Sequence, residues 1–137
     1  MKIAIVGTSK LLTPDQLFGT VNTIAEILGS NLSATIISGG ALGVDTLVEQ
    51  QCKLFNRECK VYRPENAEWG DLDTTLGYKA RNMQIAEECD KLYCITVPMR
   101  KHRCYHCDSD THEKTGGCWT AKQVGLRCKV WERIIIG

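Results

Sequence analysis

The chain has 137 residues, 43% of them hydrophobic and 24% charged, enough for one domain with a sizeable core. Seventeen Lys and Arg against sixteen Asp and Glu leave a formal net charge of +1. That balance excludes a global field recruiting DNA, RNA or an anionic membrane, so nucleic-acid binding is disfavoured and any such contact has to be local.

Lys2 to Gly7 reads as a buried strand running into Gly7-Thr8-Ser9, and it has the form of an apolar strand, not of a charged leader. Thr13-Pro14-Asp15 starts a helix, with Thr13 as N-cap and Pro14 at the first helical position. Leu17, Val21, Ile24, Ala25 and Leu28 then recur at helical spacing until Gly29. A strand from about Ala34 to Ser38 feeds the turn Gly39-Gly40-Ala41-Leu42-Gly43, followed by a helix carrying Leu42, Leu47, Val48 and Cys52.

Cys59 to Tyr62 is a third strand ended by Arg63-Pro64, and Glu65 to Thr74 is a polar loop rich in turn residues. A helix is expected from about Thr75 to Cys89, with Met83, Ile85 and Ala86 on its inner face. Lys91 to Val97 is a fourth strand, and a Cys- and His-rich insert then breaks the rhythm. Thr115-Gly116-Gly117 opens a short helix, and Cys128 to Ile136 makes a fifth strand. This alternation predicts an α/β fold, a Rossmann-like three-layer sandwich with a mainly parallel five-stranded sheet, formed by residues 1–137 as a single domain.

No apolar run approaches the roughly 20 residues that span a bilayer. Of the eight cysteines, Cys52, Cys59, Cys89, Cys94 and Cys128 lie in or beside apolar patterns, as small reduced core thiols do. A soluble, cytoplasmic protein is expected.

In such a sheet a ligand lies outside the carboxyl ends of the strands. Gly7-Thr8-Ser9, the Gly39-Gly40-x-x-Gly43 turn and Gly116-Gly117 can all meet there. Glycines at these points let the backbone turn tightly and expose N–H groups at a helix N-terminus, where an anion is favoured. Asp45 most simply holds the first double-glycine turn by accepting from backbone N–H groups. Trp69, Tyr78 and Trp119 are candidates to stack on a base, with Trp119 best placed because it stands inside the second turn.

These motifs together resemble the SLOG superfamily, the modified Rossmann domains of DNA-processing protein A and of the Lonely Guy cytokinin-activating proteins. Ser38-Gly39-Gly40-Ala41-Leu42-Gly43-Val44-Asp45 resembles the phosphate turn of the former. Arg81 through Ile85, Ala86 and Asp90, then Gly116-Gly117-x-x-Thr120, resembles the signature of the latter. The turns and the resemblance together give a nucleotide site formed by Gly7, Thr8, Ser9, Gly39, Gly40, Gly43, Asp45, Arg81, Asn82, Gly116, Gly117, Trp119 and Thr120, and the resemblance implies a homo-oligomer. It also implies Arg81 as the catalytic arginine of an N-glycosidase acting on nucleoside monophosphates. Trp119 stands where the signature has a third glycine, and Gln123 where it has a glutamate. A glutamine cannot serve as a general base or offset an oxocarbenium charge. Asp45, Glu87, Glu88 and Asp110 are the carboxylates available to replace it; the bland alternative for Arg81 is an exposed ion pair with Glu87 or Glu88.

Within residues 98–118, Cys104 and Cys107 are spaced as a metal-binding pair, followed by His112 and Cys118. Three thiolates and an imidazole can close a tetrahedral structural zinc site, with His102 and His106 as rival ligands. A surface loop with reduced thiols or a Cys104–Cys107 disulfide is the alternative. The leading expectation is a nucleotide or nucleotide-derived ligand, sensed or processed at the carboxyl edge of the sheet. A nucleoside-monophosphate phosphoribohydrolase and a single-stranded nucleic-acid binder are the rivals.

Overall fold

The computed structural model describes residues 1–10, 13–70 and 77–137. Five strands, β1 (Lys2–Gly7), β2 (Thr35–Ser38), β3 (Cys59–Val61), β4 (Lys91–Thr96) and β7 (Val130–Ile135), form one parallel sheet in the order β3-β2-β1-β4-β7. Between β4 and β7 the insert folds into a two-stranded antiparallel hairpin, β5 (Arg103–Cys104) and β6 (Ser109–Glu113). Order reverses between β1 and β4, which places the topological switch, and the crevice it opens, at the carboxyl end of β1.

The central strands β2, β1 and β4 are buried on both faces, their successive side chains entering opposite layers. Ile3, Ile5 and Ile36 pack with Ile24 and Ile27 of α1 (Pro14–Ser30) and Val48 and Cys52 of α2 (Val44–Leu54). Ala4, Val6, Leu92 and Cys94 pack on the other side with Ile85 and Ala86 of α3 (Tyr78–Glu88) and Ala121 and Val124 of α4 (Gly116–Leu126). The predicted sandwich is therefore present, with Cys104 and Cys118 drawn into the second layer.

Thr13 caps α1 as predicted, its side chain accepting from the N–H of Gln16 at 3.1 Å. The buried stripe of that helix differs from the expected one. Gln16, Thr20, Ile24, Ile27 and Leu28 face the sheet, while Leu17 is exposed and Val21 and Ala25 are half-buried. Hydrophobicity alone phased the helix wrongly because two polar residues, Gln16 and Thr20, occupy core-facing positions. Leu42 is likewise exposed and precedes α2. The expected start of α3 at Thr75 lies outside the described residues, as do Asp71 to Thr74 of the polar loop. Cys128 is exposed and precedes β7, so it is not a core thiol. Cys52, Cys89 and Cys94 are buried and free, and Cys59 is half-buried and free. Among the described residues, no helix is long and apolar enough to cross a membrane.

Candidate functional site

Three strand-to-helix turns converge at the carboxyl edge. A side chain at Gly7 would collide with the carbonyl of Ile95, so only glycine lets β1 end against β4. The next peptide is shared between layers: Thr8 N–H donates to Ile95 O at 3.0 Å and Thr8 O accepts from Val44 N–H at 3.1 Å. Gly117, in the first turn of α4, backs onto the same point; a Cβ there would lie 3.3 Å from Gly7 Cα and 3.1 Å from Cys94 Sγ. Gly43 holds a φ of +76° with its α-carbon against the Thr8–Ser9 backbone, a conformation and a contact that both require glycine.

Gly39 sits between two ionisable side chains. A Cβ there would be 2.9 Å from Arg81 Nη1 and 3.0 Å from Asp45 Oδ2. Arg81 is only 8% exposed. It donates from Nη1 to the carbonyl of Gly39 and from Nε to Asn82 Oδ1 at 2.6 Å, so the exposed ion pair with Glu87 or Glu88 does not form. Asp45 Oδ2 accepts from Ala41 N–H at 3.2 Å, and its Oδ1 is buried with no hydrogen-bond partner among the described residues. Burial pushes the Asp45 carboxyl up to about 6, against the opposing pull of the Ala41 N–H and of Arg81.

The donors of the glycine turns are largely spent within the protein. Gly40 N–H goes to Ser38 Oγ, Ala41 N–H to Asp45, Val44 N–H to Thr8 O, Gly117 N–H to Thr115 Oγ1 and Cys118 N–H to Thr115 O. Tyr78 N–H and Lys79 N–H at the start of α3 donate to the carbonyls of Glu68 and Trp69. The turns thus shape the edge, and a place for an anion would need cationic side chains as well. Such a place exists beside β3. A cleft of about 280 Å³ is lined by Tyr62, Arg63, Glu65, Gly77, Arg81 and Gln84 among others. Arg63, exposed and held by Glu49 at 2.9 Å, is a functional candidate that sequence reasoning treated only as a strand terminator. Its signal was position: a cation directly after a strand, on the edge where ligands bind.

Other expected residues are placed as follows. Asn82 is buried and its Nδ2 would be 3.9 Å from a Cβ on Gly116, so α3 links the second and third turns. Thr120 is buried, its hydroxyl bonded to Gly116 O at 3.3 Å. Trp119 packs edge-on against Trp69, with ring centroids 5.1 Å apart. Ser9 is exposed at the rim. Of the carboxylates offered in place of the missing glutamate, Glu88 pairs with Lys2 at the amino end of β1, Glu87 with Arg127, and Asp110 lies exposed on the hairpin. Of these four carboxylates, Asp45 is the one that shares the edge with Arg81.

The second constellation is the hairpin. Sγ of Cys104, Cys107 and Cys118 and a ring nitrogen of His112 all lie within 4.8 Å of one another. Zinc–sulfur bonds of ~2.3 Å give a tetrahedron with edges of about 3.8 Å, close to this spread. His112 is fully buried, and its Nδ1 lies 2.9 Å from Glu113 O, which fixes Nε2 as the inward atom. That Nε2 is 3.2 Å from Cys107 Sγ and 3.6 Å from Cys118 Sγ. Burial pulls the His112 pKa down, favouring the neutral ligand form. Burial and the neighbouring Cys118 push the Cys107 thiol up to about 11, and the Cys94 thiol beside it pushes Cys118 up further still. A cation in the middle would reverse that logic by stabilising thiolates. The donor set therefore could hold a metal ion. His102 is turned away, its Nδ1 2.9 Å from Glu113 Oε1. The same carboxylate accepts from the N–H groups of Arg100, Lys101 and His102, which ties the base of the hairpin.

No family model and no curated protein matches the sequence. The fold is similar to that of DNA processing protein A from Helicobacter pylori, a protein described for its unique single-stranded DNA binding mode. The TM-score is 0.60 with 20% identity, over 97% of this chain and 64% of that one, so this chain spans just under two thirds of that protein's length. The resemblance read from the glycine turns holds at the level of the fold: the chain has a Rossmann-like fold similar to that of DNA processing protein A.

Proposed function

We propose that the carboxyl edge binds the phosphate-bearing part of a nucleotide, in the cleft between the end of β3 and the start of α3. The observation that carries this reading is the pairing of Arg63 and Arg81 on one cleft of about 280 Å³ beside the glycine turns. Arg81 comes from α3 and is aligned by Gly39 and Asn82, so its guanidinium is held before a ligand arrives. Arg63 is exposed and exchanges Glu49 for a phosphate at little cost, since an exposed ion pair is worth about 0–1 kcal/mol. Planar guanidinium groups suit phosphate oxygens better than ammonium does. The four-residue cluster binds zinc as a structural brace that locks the hairpin onto the first turn of α4.

A second reading, single-stranded nucleic acid as the phosphate source, is favoured by the likeness to a protein described as binding single-stranded DNA. The near-neutral total charge leaves room for it, because the cations of the edge are local.

Isothermal titration with AMP, ADP, ATP and dTMP, on wild type and on Arg63→Glu, tests the phosphate site. Binding that weakens at least tenfold in the variant, with an unchanged circular-dichroism spectrum, is the expected result. No heat with any of the four nucleotides overturns it.

A further inference from the structure

Four aromatic rings form a continuous run on the surface where the hairpin meets the loop before α3. Trp119 of α4 stands edge-on to Trp69 at 5.1 Å, Trp69 lies 6.4 Å from His106, and His106 lies 4.3 Å from Tyr105. Rings used only to glue a hairpin down are expected to be buried. Here Tyr105 is 64% exposed and Trp69 is 40% exposed. Tyr105 touches the ring of His106 and the ammonium of Lys114, which sits 4.8 Å from its centroid. A second cation, Lys122 of α4, is near enough that its charge, with that of Lys114, acts on His106.

Two of the three acids of the hairpin are engaged by groups other than these lysines. Asp108 is paired with Arg103 at 2.9 Å, and Glu113 is spent on three backbone N–H groups and His102. Asp110 is exposed on β6.

The run is continuous with the cleft. Gly77 lines the cleft, and the residues beside it bind the platform loop: Tyr78 N–H donates to Glu68 O at 2.7 Å and Lys79 N–H to Trp69 O at 2.9 Å. The start of α3 therefore touches both the cleft lined by Arg63 and Arg81 and the loop that carries Trp69.

Resting on the phosphate reading of that cleft, we propose that Trp69, Tyr105 and Trp119 form a stacking platform for the unpaired bases of a single strand, with Lys114 and Lys122 meeting its phosphates. Every base has a π face, so such a platform is tolerant of sequence, and a duplex, whose bases are already stacked, cannot use it. A protein partner would equally cover apolar rings, but the interleaved lysines match a polyanion.

The test is tryptophan fluorescence and anisotropy with a 12-nucleotide oligothymidylate, its duplex with oligoadenylate, and dTMP. Wild type is expected to bind the single strand more tightly than either, with quenching. Tyr105→Ala, an exposed position that does not threaten folding, and Trp69→Ala should each weaken strand binding roughly tenfold. Tyr105→Ala should leave mononucleotide binding unchanged. A single strand bound no better than its duplex, or bound equally by both variants, overturns the platform. No binding of the 12-mer overturns it too, and leaves the cleft standing if any of AMP, ADP, ATP or dTMP binds.

Discussion

Cys118 Sγ lies 3.6 Å from Nε2 of His112, so a residue of the first turn of α4 and a residue of the hairpin strand β6 converge on one point. Cys118 follows Gly117, which is packed against Gly7, and a metal held by Cys118 would therefore pin the hairpin to the carboxyl edge. Purified without a tag, the protein should carry about one equivalent of zinc. Removing it with a chelator, or replacing Cys118 by Ser, should lower Tm by on the order of 10 °C, since metal-binding energy is folding energy in such a site. Metal analysis alongside calorimetry checks this, and a chelated protein with unchanged Tm refutes the brace.

Asp45 makes stability fall as pH rises. Its carboxyl sits at about 6 in the fold against 3.8 in the unfolded chain, so between these values the folded state binds more protons than the unfolded one. Stability is then greatest below pH 4, declines through pH 4–6 and levels off above, by at most about 3 kcal/mol for a shift of this size. The Asp45→Asn variant lacks the titration. Urea unfolding from pH 4 to 7 should show the wild type losing ground to the variant across that window; a constant difference rules the effect out.

The strands, the Thr13 cap, the cysteine spacing and the glycine turns were legible because each is a local pattern with a local cause. The Cys104, Cys107, His112 and Cys118 set was readable for the same reason: its spacing is short and its chemistry narrow. What was not legible came from distance. The phase of α1 depends on Gln16 and Thr20 facing inward. Arg63 gains meaning only when β3 is at the sheet edge beside α3, and the aromatic run needs Trp69 and Trp119, fifty residues apart in sequence, to touch. Asp45 accepts from the first glycine turn, as its place there suggested, but free N–H groups were otherwise expected from the helix ends, whereas Ser38 and Thr115 supply further acceptors.

Arg57 is a structural residue without a sequence signature. Its guanidinium reaches across from the end of α2 to three carbonyls, Leu28 at 2.7 Å, Asn31 at 2.6 Å and Ala34 at 3.1 Å, and so closes the C-terminus of α1 and the turn into β2. Hydrogen bonds from a charged donor are each worth about 1.5–3 kcal/mol, and their sum is reduced by solvent access. Arg57→Ala should cost about 2–3 kcal/mol, and Arg57→Lys should recover less than half, because a point ammonium cannot span three acceptors. Chemical denaturation of both variants checks it; full rescue by lysine would show that charge alone matters.

Cys128 is held in a conformation that suits glycine. Its φ is +57°, and it ends α4 in the double-bonded closure in which Cys128 N–H meets Gly125 O at 3.0 Å and Lys129 N–H meets Val124 O at 3.2 Å. An L side chain at this left-handed position costs about 1 kcal/mol relative to glycine. The thiol is exposed and contributes no core packing. Cys128→Gly should therefore raise stability by about 1 kcal/mol, or roughly 3–4 °C in Tm for a domain of this size. Cys128→Ala keeps the strain while removing the thiol, so it should leave Tm near the wild-type value. Thermal unfolding of the pair under reducing conditions separates the two causes: equal gains in both variants would assign the effect to the thiol and not to the backbone.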